Sequence, residues 1–122
     1  LGDFNIDPVI HKEEMCDTRE GETTLPLTGD GSRAYGGRLF SPYLDYASPL
    51  IGGTYFFEGQ WERLDNILLS SFFFDWEGIE YEGTTIIKGG DASDYLGRPL
   101  KYDKSTGKGM SDHFALKSTF TI

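Results

Sequence analysis

The sequence carries one cysteine, Cys16, in 122 residues, so no internal disulfide framework can staple it and cysteine usage says nothing firm about compartment. It has no run of about 18 apolar residues, which excludes a transmembrane helix. No charged segment followed by an apolar stretch opens it, so no secretory signal is legible. Positive charge is scarce: 11 Lys and Arg stand against 20 Asp and Glu, a net charge of −9. A net-negative surface repels phosphate backbones and anionic membranes, which argues against an architectural nucleic-acid binder. Hydrolases stay open, because carboxylates can hold a metal ion that makes a site locally positive. What the chain has in quantity is aromatic rings, 15% Phe, Trp and Tyr. A few large side chains can then supply much of a core, and a disordered acidic tail is excluded.

Residues 1–6 read as the end of a buried strand running into a loop. Asp7-Pro8 reads as the start of a short helix, with Asp7 as cap and Pro8 in the first helical position. Four glycines within residues 28–38 predict an exposed loop. Pro42 and Pro49 break regular structure over residues 39–53, where Phe40, Tyr43 and Tyr46 are the expected packing groups. Residues 54–57 and 61–70 read as two strands joined by a tight turn containing Gly59. The second ends in Ile67, Leu68 and Leu69, a run suited to a strand buried on both faces. Residues 84–90 predict another short strand, and residues 89–110 a long loop of the kind that is usually functional or mobile. The last segment alternates, with Phe114, Leu116, Phe120 and Ile122 on one face and Lys117, Thr119 and Thr121 on the other. Strands dominate and helix is scarce.

Three segments can carry chemistry: Gly2-Asp3-Phe4-Asn5, Arg63-Leu64-Asp65-Asn66 and Ser111-Asp112-His113. Each sets a carboxylate at a strand end, where a rigid scaffold can aim it into a cleft. Asp3 and Asn5, two apart, project from one face of an extended segment. A carboxylate beside a neutral amide suits phosphoryl chemistry, the first activating water and the second donating to a phosphate oxygen. Asp112 offers a hard oxygen to a divalent cation, and His113 an imidazole for a phosphate oxygen or a proton. Asp65 can accept a hydrogen bond from one ring nitrogen of His113 and so fix its tautomer. Taken singly, an Asp-Phe-Asn is more often an Asx-turn and an Asp-His a polar surface pair.

Together and in this order the segments resemble the endonuclease/exonuclease/phosphatase superfamily. The likeness rests on GDFN at 2–5, WERLDNILLS at 61–70 and GKGMSDHFAL at 107–116, with GTY at 53–55 ahead of Trp61. It spans essentially the whole chain. Ala115 departs from the family's usual proline, a change of strand geometry rather than chemistry. The resemblance implies a Mg²⁺- or Mn²⁺-dependent phosphoesterase. In it Asp3 activates the attacking water and Asn5 bonds to Asp3 and to the scissile phosphate. Asp112 belongs to the metal-binding carboxylates, and His113, held by Asp65, contacts a nonbridging phosphate oxygen.

The implied fold class is α+β and strand-rich: a four-layer α/β-sandwich of two facing, mostly antiparallel sheets flanked by helices. Residues 1–122 are expected to be the C-terminal portion of one such domain. The N-terminal half, absent from this sequence, would carry a metal-binding Glu, an early Asn and a His or Tyr at the phosphate. The fragment alone is then expected to be inactive. Its aromatics Phe57, Phe72 and Phe74 would face either the missing half or a second copy of the chain. Substrates stay open among nucleic acid, phospholipid head groups and sugar or inositol phosphates. The alternative is a non-catalytic binding or scaffold module of the same fold; the filled positions Asp3, Asn5, Asp65, Asp112 and His113 favour an enzyme.

Weaker candidates fail on spacing or composition. Residues 105–109 lack the first glycine and the Ser/Thr of a phosphate-binding loop. His11 and Cys16 have no second Cys or His at zinc-ligand spacing. Arg33, Arg38 and Arg98 can rim a phosphate cleft or simply be solvated. Tyr35, Phe40 and Tyr43 suit core packing better than base stacking.

Overall fold

The computed structural model describes residues 1–4, 18–19, 22–23 and 27–122, and extended backbone dominates it. Its strands are β1 (Gly2–Asp3), β2 (Thr18–Arg19), β3 (Glu22–Thr23), β4 (Leu27–Thr28) and β5 (Leu39–Phe40). They continue as β6 (Tyr55–Phe57), β7 (Gln60–Glu62), β8 (Asp65–Asn66), β9 (Glu80–Ile87) and β10 (Ala115–Thr121). β1 pairs with β8, β2 with β3, β6 with β7 and β9 with β10, all antiparallel, while β4 runs parallel to β5. Helix is confined, among the described residues, to single 3-10 turns at Gly31–Arg33, Pro42–Leu44, Ser71–Phe73 and Gly90–Ala92. The class is therefore strand-rich. The helix expected from Asp7-Pro8 lies outside the described residues.

The β6–β7 hairpin follows from its turn. Glu58 and Gly59 both take positive φ, 49° and 79°, the left-handed pair whose twist matches that of the flanking strands. The C-terminal alternation also holds: Leu116, Ser118 and Phe120 face inward, while Lys117, Thr119 and Thr121 are exposed. Ile122 ends fully exposed, outside this pattern. β9 is longer than the short strand expected at 84–90, because β10 offers it a full pairing edge. A register shift between Thr119 and Phe120 leaves Glu82 opposite no residue, so Gly83 sits beside a bulge instead of ending the strand.

Two expectations are corrected. The run Ile67–Leu69 does not form a strand buried on both faces: regular pairing stops at Asn66, and Leu69 instead exchanges backbone hydrogen bonds with Phe40 at 2.8 and 3.0 Å. Leu69 is thereby bridged to Phe40, outside the β1–β8 ladder. The glycine-rich segment 28–38 is not wholly an exposed loop either. Gly29, Gly31 and Ala34 are buried. A Cβ on Gly29 would overlap the Leu44 carbonyl, and one on Gly31 the ring of Phe74. These glycines admit close packing.

Ala34, Phe40 and Leu69 form the core centre, with Ile67, Phe73, Phe74, Tyr81 and Phe120 packed around them. The Phe40 ring lies 4.7 Å from Phe74 and 5.4 Å from Tyr81, within the range where tilted aromatic pairs attract. Tyr43 is buried as expected, but Tyr46 is exposed. Of the three phenylalanines expected on an open face, Phe57 and Phe72 are exposed. Phe74 is not, because it fills the space that Gly31 leaves. The segment 89–110 is folded on itself by single bridges from Ser93 to Pro99, Lys101 to Met110 and Asp103 to Lys108.

Candidate active site

The site is assembled by backbone pairing between segments far apart in sequence. β1 lies in register with β8, Asp3 opposite Asp65 and Gly2 opposite Asn66. The Phe4 amide extends the ladder to the Leu64 carbonyl at 2.9 Å. Tyr43 donates its phenol to the Asp65 carbonyl at 2.8 Å, and the buried Ser41 donates to Asn66 Oδ1 at 3.1 Å. These bonds fix β8 from behind.

Thr54 joins β8 to the histidine segment. Fully buried, it accepts the Asp65 amide on Oγ1 at 3.3 Å and the Phe114 amide on its carbonyl at 2.7 Å. The Ser111 hydroxyl accepts the His113 amide at 3.1 Å, and the Tyr55 ring lies 4.8 Å from the imidazole. Sequence reasoning did not reach Thr54 and Tyr55 as site residues. The signal was present in Gly53-Thr54-Tyr55, a part of the family resemblance that carries no chemical role of its own.

With both supports in place, His113 Nδ1 lies 2.7 Å from Asp65 Oδ2, across 48 residues of sequence. Their side chains are 22% and 19% exposed, so water screens the pair only partly. Asp3 joins them: one ligand atom from each of Asp3, Asp65 and His113 lies within 4.8 Å of the others. Burial opposes a charge on His113, but the Asp65 hydrogen bond and the negative charges of Asp65, Asp3 and Asp112 outweigh it. The imidazole pKa is accordingly raised above its ordinary value.

The arrangement has a definite chemical capability. A carboxylate accepting from Nδ1 leaves Nε2 as the donor or acceptor for whatever enters the site. Asp3 and Asp65 concentrate negative charge on the near side, the environment that holds an imidazolium or a cation. Asp112 is exposed and its carboxylate does not join the three-residue cluster, although its charge reaches His113. Asn5 lies outside the described residues. Of the expected site residues, then, Asp3, Asp65 and His113 are brought together.

No protein-family model matches the chain, and no curated protein or solved structure gives a significant match to it.

Proposed function

We propose that this chain forms the water-activating and phosphate-contacting part of a Mg²⁺- or Mn²⁺-dependent phosphoesterase of the endonuclease/exonuclease/phosphatase type. The observation that carries the reading is the convergence of Asp3, Asp65 and His113 from three separate motifs, with His113 Nδ1 bonded to Asp65 at 2.7 Å. A chance pairing of surface polar groups does not require in-register strands and a buried threonine to hold it.

In this reading Asp65 orients His113 and stabilises its protonated form, and Nε2–H donates to a nonbridging phosphate oxygen as charge develops there. Asp3 takes a proton from the attacking water. Asn5 donates to the phosphate and steadies Asp3. The donor set fits a hard divalent ion in type: Asp3 and Asp112 offer carboxylate oxygen, the ligand such ions prefer. Asp65 is committed to His113. A bound ion would neutralise phosphate charge and polarise the ester. Two carboxylates hold such an ion weakly, since it asks for octahedral oxygen coordination.

The remaining ligands are proposed to come from another segment of the same domain, completing a four-layer sandwich around residues 1–122. Exposed Phe57 and Phe72 then face that segment or, in its absence, a second copy of this chain.

Hydrolysis of bis(p-nitrophenyl) phosphate with Mn²⁺ tests the proposal on the natural gene product and on this chain alone. The gene product is expected to turn over and to stop with EDTA, and the chain alone to stay inactive. EDTA-sensitive turnover by the chain alone would refute the shared-ligand arrangement; no turnover by the gene product would refute the phosphoesterase.

A further inference from the structure

Tyr55 and His113 face each other in a single antiparallel bridge. Side chains directly opposite in such a pair project from the same side of the ladder. The next residues along are joined as well, the Phe114 amide donating to the Thr54 carbonyl at 2.7 Å. The main chain thus delivers the tyrosine ring onto the imidazole, with centroids 4.8 Å apart and planes 31° apart. That separation lies within the range where rings attract.

Phe57 stands two residues further along β6 and returns to the same face. It stacks on Tyr55, 6.0 Å between centroids and 13° between planes. The imidazole, phenol and phenyl rings therefore form one group, with Tyr55 touching both of the others. Tyr55 is half-buried, and Phe57 is 54% exposed. The hairpin keeps β6 in register beneath them, pairing Tyr55 with Glu62 and Phe57 with Gln60.

This packing supplies what the bond to Asp65 lacks. One hydrogen bond from Nδ1, 2.7 Å long, fixes one atom of the imidazole and leaves its plane free to turn about that bond. A ring packed against the imidazole blocks the turn on one side. The direction of Nε2 follows the plane, and a misplacement of about 1 Å in a reacting group can cost about 100-fold in rate.

We propose that Tyr55 is a positioning residue: its ring, backed by Phe57, holds the His113 imidazole so that Nε2 points at the substrate phosphate, a role that rests on the phosphoesterase reading. The ring is the working part, and the hydroxyl is not needed.

Hydrolysis of bis(p-nitrophenyl) phosphate with Mn²⁺ by the natural gene product gives the first readout. Tyr55→Leu keeps apolar bulk but removes the ring. It should lower kcat by about 10- to 100-fold and leave KM within about twofold, because the ring acts through His113 and not on the substrate. Tyr55→Phe keeps the ring and should hold kcat within about threefold of the parent. Phe57→Leu removes the backing at a half-exposed position and should lower kcat by about three- to tenfold; it decides the matter if Tyr55→Leu does not fold.

The second readout does not depend on turnover. NMR at one fixed pH follows exchange of the His113 Nδ1 proton with water. Exchange should be about tenfold faster in Tyr55→Leu, where the imidazole leaves Asp65 more often, and parental in Tyr55→Phe. Parental kcat or parental proton exchange in Tyr55→Leu would overturn the proposal. So would a Tyr55→Phe variant as impaired as Tyr55→Leu, which would assign the effect to the hydroxyl, or a raised KM at unchanged kcat, which would make Tyr55 a substrate contact. If the gene product shows no turnover at all, the phosphoesterase reading falls, and proton exchange alone decides whether Tyr55 holds His113.

Discussion

Asp65→Asn separates the charge in the site from its shape. The amide oxygen can still accept the Nδ1 proton of His113, so the substitution removes the carboxylate charge while leaving an acceptor at the same place. A hydrogen bond to a charged group contributes about 1.5–3 kcal/mol, and one between neutral groups about 0.5–1.5 kcal/mol. The pair is about four-fifths buried, with side chains 22% and 19% exposed, so little of this difference is lost to solvent. The pH dependence follows from the raised pKa of His113. Stability owed to a raised imidazole pKa is fully present below the unfolded value of about 6.5 and is lost as pH rises through the folded value. The cost of Asp65→Asn should therefore be about 1–2 kcal/mol near pH 5.5 and smaller near pH 9, where the imidazole is neutral and only the bond to the carboxylate remains. Urea unfolding of both proteins at the two pH values measures it. An NMR titration of His113 gives the second readout, with His11 as the one other histidine in the sequence. The substitution should lower the His113 pKa, because burial and the charges of Asp3 and Asp112 would then act without Asp65. An equal penalty at both pH values, or a His113 pKa unmoved by the substitution, would refute the reasoning.

Two further predictions test how the site is held. Gly31→Ala forces a methyl group into the Phe74 ring, and urea unfolding should show a loss of about 1–3 kcal/mol, the cost of overpacking; no loss would mean the ring can move aside freely. Thr54→Val keeps the side-chain volume but removes the acceptor of the Asp65 amide. It should cost about 1–3 kcal/mol as an unpaired buried donor. It should also shift the His113 titration, a readout that a merely structural threonine away from the pair would leave alone.

The parts legible in sequence were those fixed by local chemistry. Gly59 marks a tight turn between two strand-like runs, and the alternation from Phe114 to Phe120 needs one buried face. The motif carboxylates and His113 could be named because three segments, each ordinary when taken singly, occur together in an order that resembles a known family. What could not be read depended on distant partners. Ile67–Leu69 looks like a strand until the distant Phe40 takes up the backbone of Leu69 in a single bridge. The glycines at 29 and 31 look like loop formers until Leu44 and Phe74 arrive to occupy the space a side chain would need. Thr54 carries no chemical label at all: its role comes from lying between Asp65 and Phe114, which meet only in the folded chain.

In the proposed function, His113 and Asp3 act on a phosphate ester. The direct measurement is kcat for Mn²⁺-supported hydrolysis of bis(p-nitrophenyl) phosphate by the natural gene product, compared with its His113→Ala and Asp3→Asn variants. A loss of about 10²–10⁴-fold is expected in each, the contribution of one general base or one transition-state donor. Rates within a factor of about two of the parent protein, well below any such contribution, would contradict it.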